Sequence, residues 1–218
     1  MARRSEAKHS PFNHSWHQAV ENIMQIKVFR FTGLTPLLMS NIESVNRDAP
    51  TLKLGTKPNK GDIEKIAEAA TYRDTDGSLY LPTQALRSSL LDGCSGQKVA
   101  GTRIGPRKIF QGVLFCSEDR ATLLNPKSKP ITEYEIQIDS GVNKANKARI
   151  IVVRPRIDEW HVDVPFEIDD EFAPTNFEQF LDTVLSIWNR AGRAVGAGAW
   201  RPQNSGRFGR YSVEMVGK

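Results

Sequence analysis

Four stretches of the chain read as strands, and in the first of them apolar and polar positions roughly alternate. Residues 26–31, IKVFRF, follow the two-residue period of a strand and run into the turn signal Gly33-Leu-Thr-Pro36. Residues 148–154 and 160–168 read as two strong strands. Only residues 155–159 separate them, which predicts a hairpin. Residues 211–216, YSVEMV, read as the final strand. The helical period is strongest over 176–190, where Phe177, Phe180, Leu181, Val184, Leu185 and Trp188 recur at three and four. Thr175 or Asn176 is the expected cap, and Glu178 sits in the first turn, where the helix dipole favours an acid. A second helix is expected over 63–70 with Asp62 as its cap, and a short one over 16–24. The segment 79–91 starts as a strand and turns helical at Thr83, with Ala85, Leu86 and Leu90 on one face. Asp74-Thr-Asp-Gly77 is a turn, short strands are expected at 113–116 and 133–138, and 140–147 is turn-like.

The skeleton is strand (Ile26), helix (Leu86), strand (Ile150), strand (Val162), helix (Phe177), strand (Val213). That β-α-β-β-α-β order predicts an α+β, ferredoxin-like (RRM-like) fold in one domain, 1–218. Residues 1–15 read as a flexible basic arm, 37–78 as an insertion after the first strand, and 93–147 as an insertion after the first long helix. Within the latter, 92–112 is rich in glycine and base and reads as a mobile loop or a β-finger.

Composition narrows the function. An apolar content of 39% supports a core, and no run of apolar residues is long enough to span a membrane. The N-terminus lacks the apolar stretch of a signal peptide. Cys94 and Cys116 fit no metal spacing, so reduced thiols and a cytoplasmic location are expected. The formal net charge is +5, yet residues 157–182 hold nine acids and no Lys or Arg. The remainder is therefore strongly basic, which favours a polyanionic partner, most simply nucleic acid.

The chemistry concentrates in 191–211, AGRAVGAGAWRPQNSGRFGRY: five glycines, four arginines, three aromatics and no acid. Gly196 and Gly198 leave backbone N–H groups open to a phosphate. Arg193, Arg201, Arg207 and Arg210 supply forked donors to phosphate oxygens. Trp200, Phe208 and Tyr211 offer faces for unpaired bases. The alternative is that the glycines pack a tight loop and the aromatics belong to the core. Arg87 and Ser88 lie near the start of the helix after Pro82, where side chain and helix N-terminus suit one phosphate; the alternative is a solvated helix face. Lys98, Arg103, Arg107 and Lys108 form a second basic group, and Lys144, Lys147 and Arg149 a third. His9, His14, His17 and His161 have no metal-ligand spacing, no Walker motif or nucleophile–His–acid pattern is present, and neither cofactor nor metal is expected.

Three stretches carry a resemblance to a known family. They are Gly33-Leu-Thr-Pro-Leu37 at the end of the first strand, Arg73-Asp-Thr-Asp-Gly-Ser-Leu-Tyr-Leu-Pro82 leading into Thr83-Gln-Ala-Leu-Arg-Ser-Ser-Leu90, and the glycine-arginine loop before the last strand. Together they resemble the RAMP superfamily, in particular the backbone subunit of CRISPR effector complexes. Thr83-Gln84 stands where that family usually has Gly-Ser. The resemblance implies binding of single-stranded guide RNA, copies assembled head-to-tail, and contacts with other effector subunits and with target nucleic acid. It also implies that 96–108 is a thumb-like β-finger with Ile104 as a wedge. Asn46-Arg-Asp-Ala-Pro50 is similar to a loop whose aspartate cuts target RNA in some members, which makes Asp48 the candidate catalytic residue. The expected role is a non-catalytic RNA-binding subunit. The alternatives are a ribonuclease acting through Asp48 and a general single-stranded DNA-binding protein. The acidic block, residues 158–171, is expected to face away from the RNA, either against a basic surface of the next copy or as an ordinary solvated face.

Overall fold

A computed structural model describes residues 24–41, 52, 59–99, 101–142, 147–171 and 176–217. Asp48, Lys144, the three N-terminal histidines, Thr175 and the expected 16–24 helix, apart from Met24, lie outside them. The architecture is mixed, with antiparallel sheets and helices, as an α+β fold requires. Strand β1 (Met24–Gly33) alternates as its sequence implies, burying Phe29 and Phe31 and turning Ile26, Val28 and Arg30 outward. It is central in a four-stranded sheet ordered β4 (Leu114–Cys116), β8 (His161–Asp169), β1, β9 (Tyr211–Met215), every pair antiparallel. A second sheet orders β2 (Leu37–Leu38), β7 (Arg149–Ile157) and β6 (Glu135–Val142). A small ladder joins β3 (Tyr80–Pro82) to β5 (Arg120–Thr122).

The helices are α1 (Lys60–Ala69), α2 (Thr83–Gly93), α3 (Pro106–Val113) and α4 (Phe177–Ala194). Helices α2 and α4 pack against each other so tightly that a Cβ on Gly93 would lie 2.5 Å from that of Ala191. The core lies between them and the four-stranded sheet. The Trp188 ring, on the apolar face of α4, stands 4.9–5.1 Å from the rings of Phe29, Phe31 and Phe166. Its Nε1 donates to the Leu86 carbonyl at 3.2 Å, so the indole polar edge is satisfied inside the core.

The expected β7–β8 hairpin does not form. Strand β7 pairs with β2 and β6, whereas β8 pairs with β1 along its whole length, from Met24↔Asp169 to Thr32↔His161, and with β4 on its other side. The short connection between them is where the chain changes sheets. Trp160 anchors the change: its carbonyl accepts from Gly33 N at 2.8 Å and its Nε1 donates to Thr35 O at 3.1 Å. Gly33 has no side chain because a Cβ would overlap that indole. The strand beside β8 is thus the three-residue β4 rather than the segment around Ile150.

Other departures have local causes. Residues 106–112, expected as loop or β-finger, and Val113, expected as the start of a strand, form α3. Pro106 occupies its first turn, where a missing N–H costs nothing, and Ile109, Phe110 and Val113 bury one face. Asn59, not Asp62, caps α1, its side chain accepting from Gly61 N. Thr83 does not cap α2; its hydroxyl donates to Glu118 O at 2.5 Å. Strand β6 continues to Val142 through residues read as a turn, and α4 continues to Ala194, so Gly192 and Arg193 are helical rather than loop. Asn176 caps α4 as expected, accepting from Glu178 N at 3.0 Å.

Candidate nucleic-acid interface

The segment between α4 and β9 folds back over the β1–β2 turn. Ala197 N donates to Gly209 O, Gly209 N to Pro36 O and Ala199 N to Leu38 O, each at 2.8 Å. Leu34 N donates to Arg210 O at 2.7 Å. Glycine is required at two of these contacts. Gly209 has φ +66° and a Cβ there would overlap the Ala197 carbonyl; Gly198 has φ +73° and a Cβ would sit 2.5 Å from Leu38 O. The glycines therefore let the loop press onto β2. Gly196 N is likewise engaged, donating to Ala191 O at 2.9 Å, so it is not an open phosphate donor.

That packing leaves a cavity of about 520 Å³ lined by four arginines: Arg193 from the last turn of α4, Arg207 and Arg210 from the loop, and Arg156 from β7. No acid lines it. Among the described residues, Arg193, Arg207 and Arg210 have no ion pair. Arg207 lies over the Phe208 ring at 5.2 Å. Arg210 Nε is buried without a hydrogen-bond partner among the described residues, while the Arg210 backbone N donates to Thr35 Oγ1 at 2.9 Å. Arg156 is the one paired member, bonding Asp158 Oδ1 through Nε at 2.6 Å and Gln137 Oε1 through Nη1 at 3.2 Å. Beside it in β7, burial holds the Arg154 guanidinium below the ordinary arginine range, and its Nε has no partner among the described residues. Unneutralised guanidinium groups converging on one cavity form an anion site, because each adds positive potential and unmet donors.

A second cavity, about 470 Å³, adjoins the first through Arg207 and Phe208. It is lined also by Trp200, Asn204, Ser205 and, from β6, Asp139. The expected aromatic platforms divide here. Tyr211 is wholly buried and Phe208 is 5% exposed, so neither ring is an open stacking face. Trp200 is half-buried at a cavity wall.

The remaining candidates lie elsewhere. Arg201 holds Gln203 Oε1 with Nε and Nη2, at 3.0 and 2.6 Å. Gln203 in turn donates to Asp92, which also accepts from Arg107 at 3.1 Å. Arg201 and Arg107 thus tie the loop to the ends of α2 and α3. The Arg87 fork is turned onto carbonyls, Nε to Leu114 O at 2.8 Å and Nη2 to Gln111 O at 3.1 Å, which fixes the α3–β4 junction instead of leaving a phosphate ligand. Ser88 accepts from Gln84 at 3.4 Å. Lys98, Arg103 and Lys108 are exposed, as is Ile104, in and before the first turn of α3, and Lys147 is exposed just before β7. None of these lines the arginine cavity. Arg156 was not singled out in the sequence; its signal was the run of alternating arginines, Arg154 and Arg156, on one face of a strand.

The acids of β8 stand apart from this site. Val162, Val164, Phe166 and Ile168 point into the core, so Asp163 and Glu167 project from the opposite face of the sheet. There Asp163 takes both arms of Arg30 at 2.7 Å, and the guanidinium holds its carboxyl below the usual carboxylate range. Among the described residues no cluster of His, Cys, Asp and Glu is arranged to hold a metal ion, and no helix is long and apolar enough to cross a membrane.

No family model matches the chain, and no curated protein matches it. Among solved structures it is similar to the crystal structure of Cmr6 from Pyrococcus furiosus, at 11% identity and a TM-score of 0.42, over 88% of this chain and 98% of that one. It is also similar to a chain in the cryo-EM structure of the type III-B Cmr-beta bound to cognate target RNA, at 9% identity and a TM-score of 0.44. That match covers 93% of this chain and 64% of the other.

Proposed function

We propose that this chain is a non-catalytic RNA-binding subunit of a CRISPR-type effector complex, gripping a single-stranded guide through the arginine cavity. The observation that carries the reading is the cavity itself: four guanidinium groups and no lining acid, held open by a glycine-dependent loop fold. One or two consecutive phosphates suit it, with arginine forks on their oxygens and no demand on base identity from the cavity. The order of the main sheet supports a ferredoxin-like unit, β1–α2–β4–β8–α4–β9, with the strand contacts described above. The resemblance of its motifs to the RAMP superfamily supports the effector role. Copies would then run head-to-tail along the guide, the acidic outer face of β8 meeting a basic surface of the next copy.

The test is a salt titration of binding to single-stranded RNA and DNA of one sequence, together with extraction of nucleic acid from the protein as purified from cells. A log K that falls with log salt, at about −0.7 per phosphate neutralised, is expected. RNA of uniform length in the extract is expected for a guide. Salt-independent binding, or none, overturns the reading; equal affinity for DNA overturns its RNA assignment.

A further inference from the structure

An acid inside a basic groove weakens the hold on phosphate and needs a reason. Asp139 is such an acid, lining the second cavity beside Arg207. Its position is set by Gln137, two residues earlier on the same face of β6. The Gln137 side chain donates from Nε2 to Asp139 Oδ2 at 2.8 Å and accepts at Oε1 from Arg156 at 3.2 Å. One amide therefore links a wall residue of each cavity, fixing the carboxylate of one relative to a guanidinium of the other. Asp139 Oδ1 has no hydrogen-bond partner among the described residues. In the same cavity, Trp200 adopts φ +48°, a left-handed conformation that a tryptophan rarely takes. It is locked there by Phe208 N donating to its carbonyl at 3.2 Å, and by Gly206, whose missing Cβ would overlap that carbonyl.

We propose that the second cavity is a base pocket selective for guanine, adjoining the phosphate cavity so that together they take one guanine nucleotide of the bound strand. The proposal rests on the RNA-binding reading above and adds to it a sequence preference. A carboxylate only accepts hydrogen bonds, so the base it reads must present donors. Guanine alone offers two parallel donors, N1–H and the 2-amino group, on its Watson–Crick edge. Adenine and cytosine each offer one amino group beside an acceptor, and uracil offers one N–H between two carbonyls. Trp200 supplies a flat wall for the ring, and Arg207, common to both cavities, stands between base and phosphate.

The experiment measures fluorescence anisotropy of the full chain with short oligouridine RNAs carrying one central guanosine, inosine, adenosine or uridine. Guanosine is expected to bind about tenfold more tightly than adenosine or uridine, with inosine, which lacks the 2-amino group, between them. In Asp139→Asn, which preserves volume but replaces an acceptor by a donor, the guanosine-to-adenosine ratio falls to about one. Circular dichroism confirms that the variant is folded, and Asp139→Ser is the second variant should it not be. Salt-dependent binding of all four oligomers with equal affinity overturns the base pocket and leaves the RNA-binding reading standing. A preference for guanosine that survives in Asp139→Asn overturns the role of that residue. Absence of binding to every oligomer overturns both readings.

Discussion

The Tyr211 hydroxyl donates to Ser89 Oγ at 2.7 Å, joining the first residue of β9 to the buried face of α2. Both residues are almost completely buried, so the bond lies within the core between sheet and helices. Tyr211 ends the glycine-arginine segment as a structural anchor, and its ring packs edge-on to Phe31 at 5.5 Å. Removing the hydroxyl leaves Ser89 Oγ without that donor. Tyr211→Phe is therefore expected to lower unfolding free energy by about 1–2 kcal/mol in urea titrations, with RNA affinity within about twofold of the parent. A large loss of affinity without loss of stability would contradict this placement.

The three arginines of the cavity without ion pairs should act alike. Arg193→Ala, Arg207→Ala and Arg210→Ala are each expected to weaken single-stranded RNA binding about tenfold at low salt. Each should also make the log K against log salt slope shallower by about 0.7. Arg87→Ala should do the opposite: a lower melting temperature, because two carbonyls lose a donor, with an unchanged salt slope. Anisotropy titrations at several salt concentrations separate the two patterns.

Gly209→Ala tests whether the loop fold makes the site. The added methyl meets the Ala197 carbonyl and forces an unfavourable positive φ. It is expected to cost more than about 1 kcal/mol and to reduce RNA binding, since Arg207 and Arg210 flank the position. Circular dichroism should still report the helices, because the close contact of α2 with α4 is made at Gly93 and Ala191, away from that turn.

Alkaline pH should erode stability through buried acids that the fold keeps neutral. Burial pushes the Cys94 thiol up to about 11 from its ordinary 9.0, and pushes the Tyr211 phenol up as well. Both folded values lie above the unfolded ones. Their contribution is whole below the unfolded pKa and is lost as pH rises through the folded one. The Cys94 part, about 2 kcal/mol, is expected to be lost between pH about 9 and about 11, and the Tyr211 part only above pH about 10. Cys94→Ala should reduce that fall in denaturant melts, and Cys94 should resist iodoacetamide until the protein unfolds.

Head-to-tail assembly predicts a role for the acids at the end of β8. Replacing Asp169, Asp170 and Glu171 by lysine is expected to reduce the size of assemblies on long RNA, read by sedimentation, while single-site affinity for a short oligomer is retained or raised. Unchanged assembly size contradicts the proposed contact.

The candidate site was half legible in the sequence. The crowding of glycine and arginine in 191–211 singled out this segment, and Arg193, Arg207 and Arg210 do share a cavity. Their fourth partner, Arg156, comes from a strand some fifty residues earlier in the chain, and the glycines face the β1–β2 turn rather than a ligand. Composition records which groups are present, but a cavity wall drawn from two segments depends on how those segments fold over one another.

Periodicity by itself determined five of the elements: the β1, β8 and β9 strands, the α2 and α4 helices, and with α4 the apolar face that holds Phe180, Val184 and Trp188. Those signals are local, since every second or every third and fourth side chain must be apolar for one face to leave water. Only the tertiary structure decided which strands pair. β7 and β8 are neighbours in sequence yet lie in different sheets, because Trp160 seats on Gly33 and β4 takes the edge of β8 that β7 was expected to occupy. Pairing is a competition among backbone edges for hydrogen bonds, settled by side chains distant in sequence, and no period along the chain encodes its outcome.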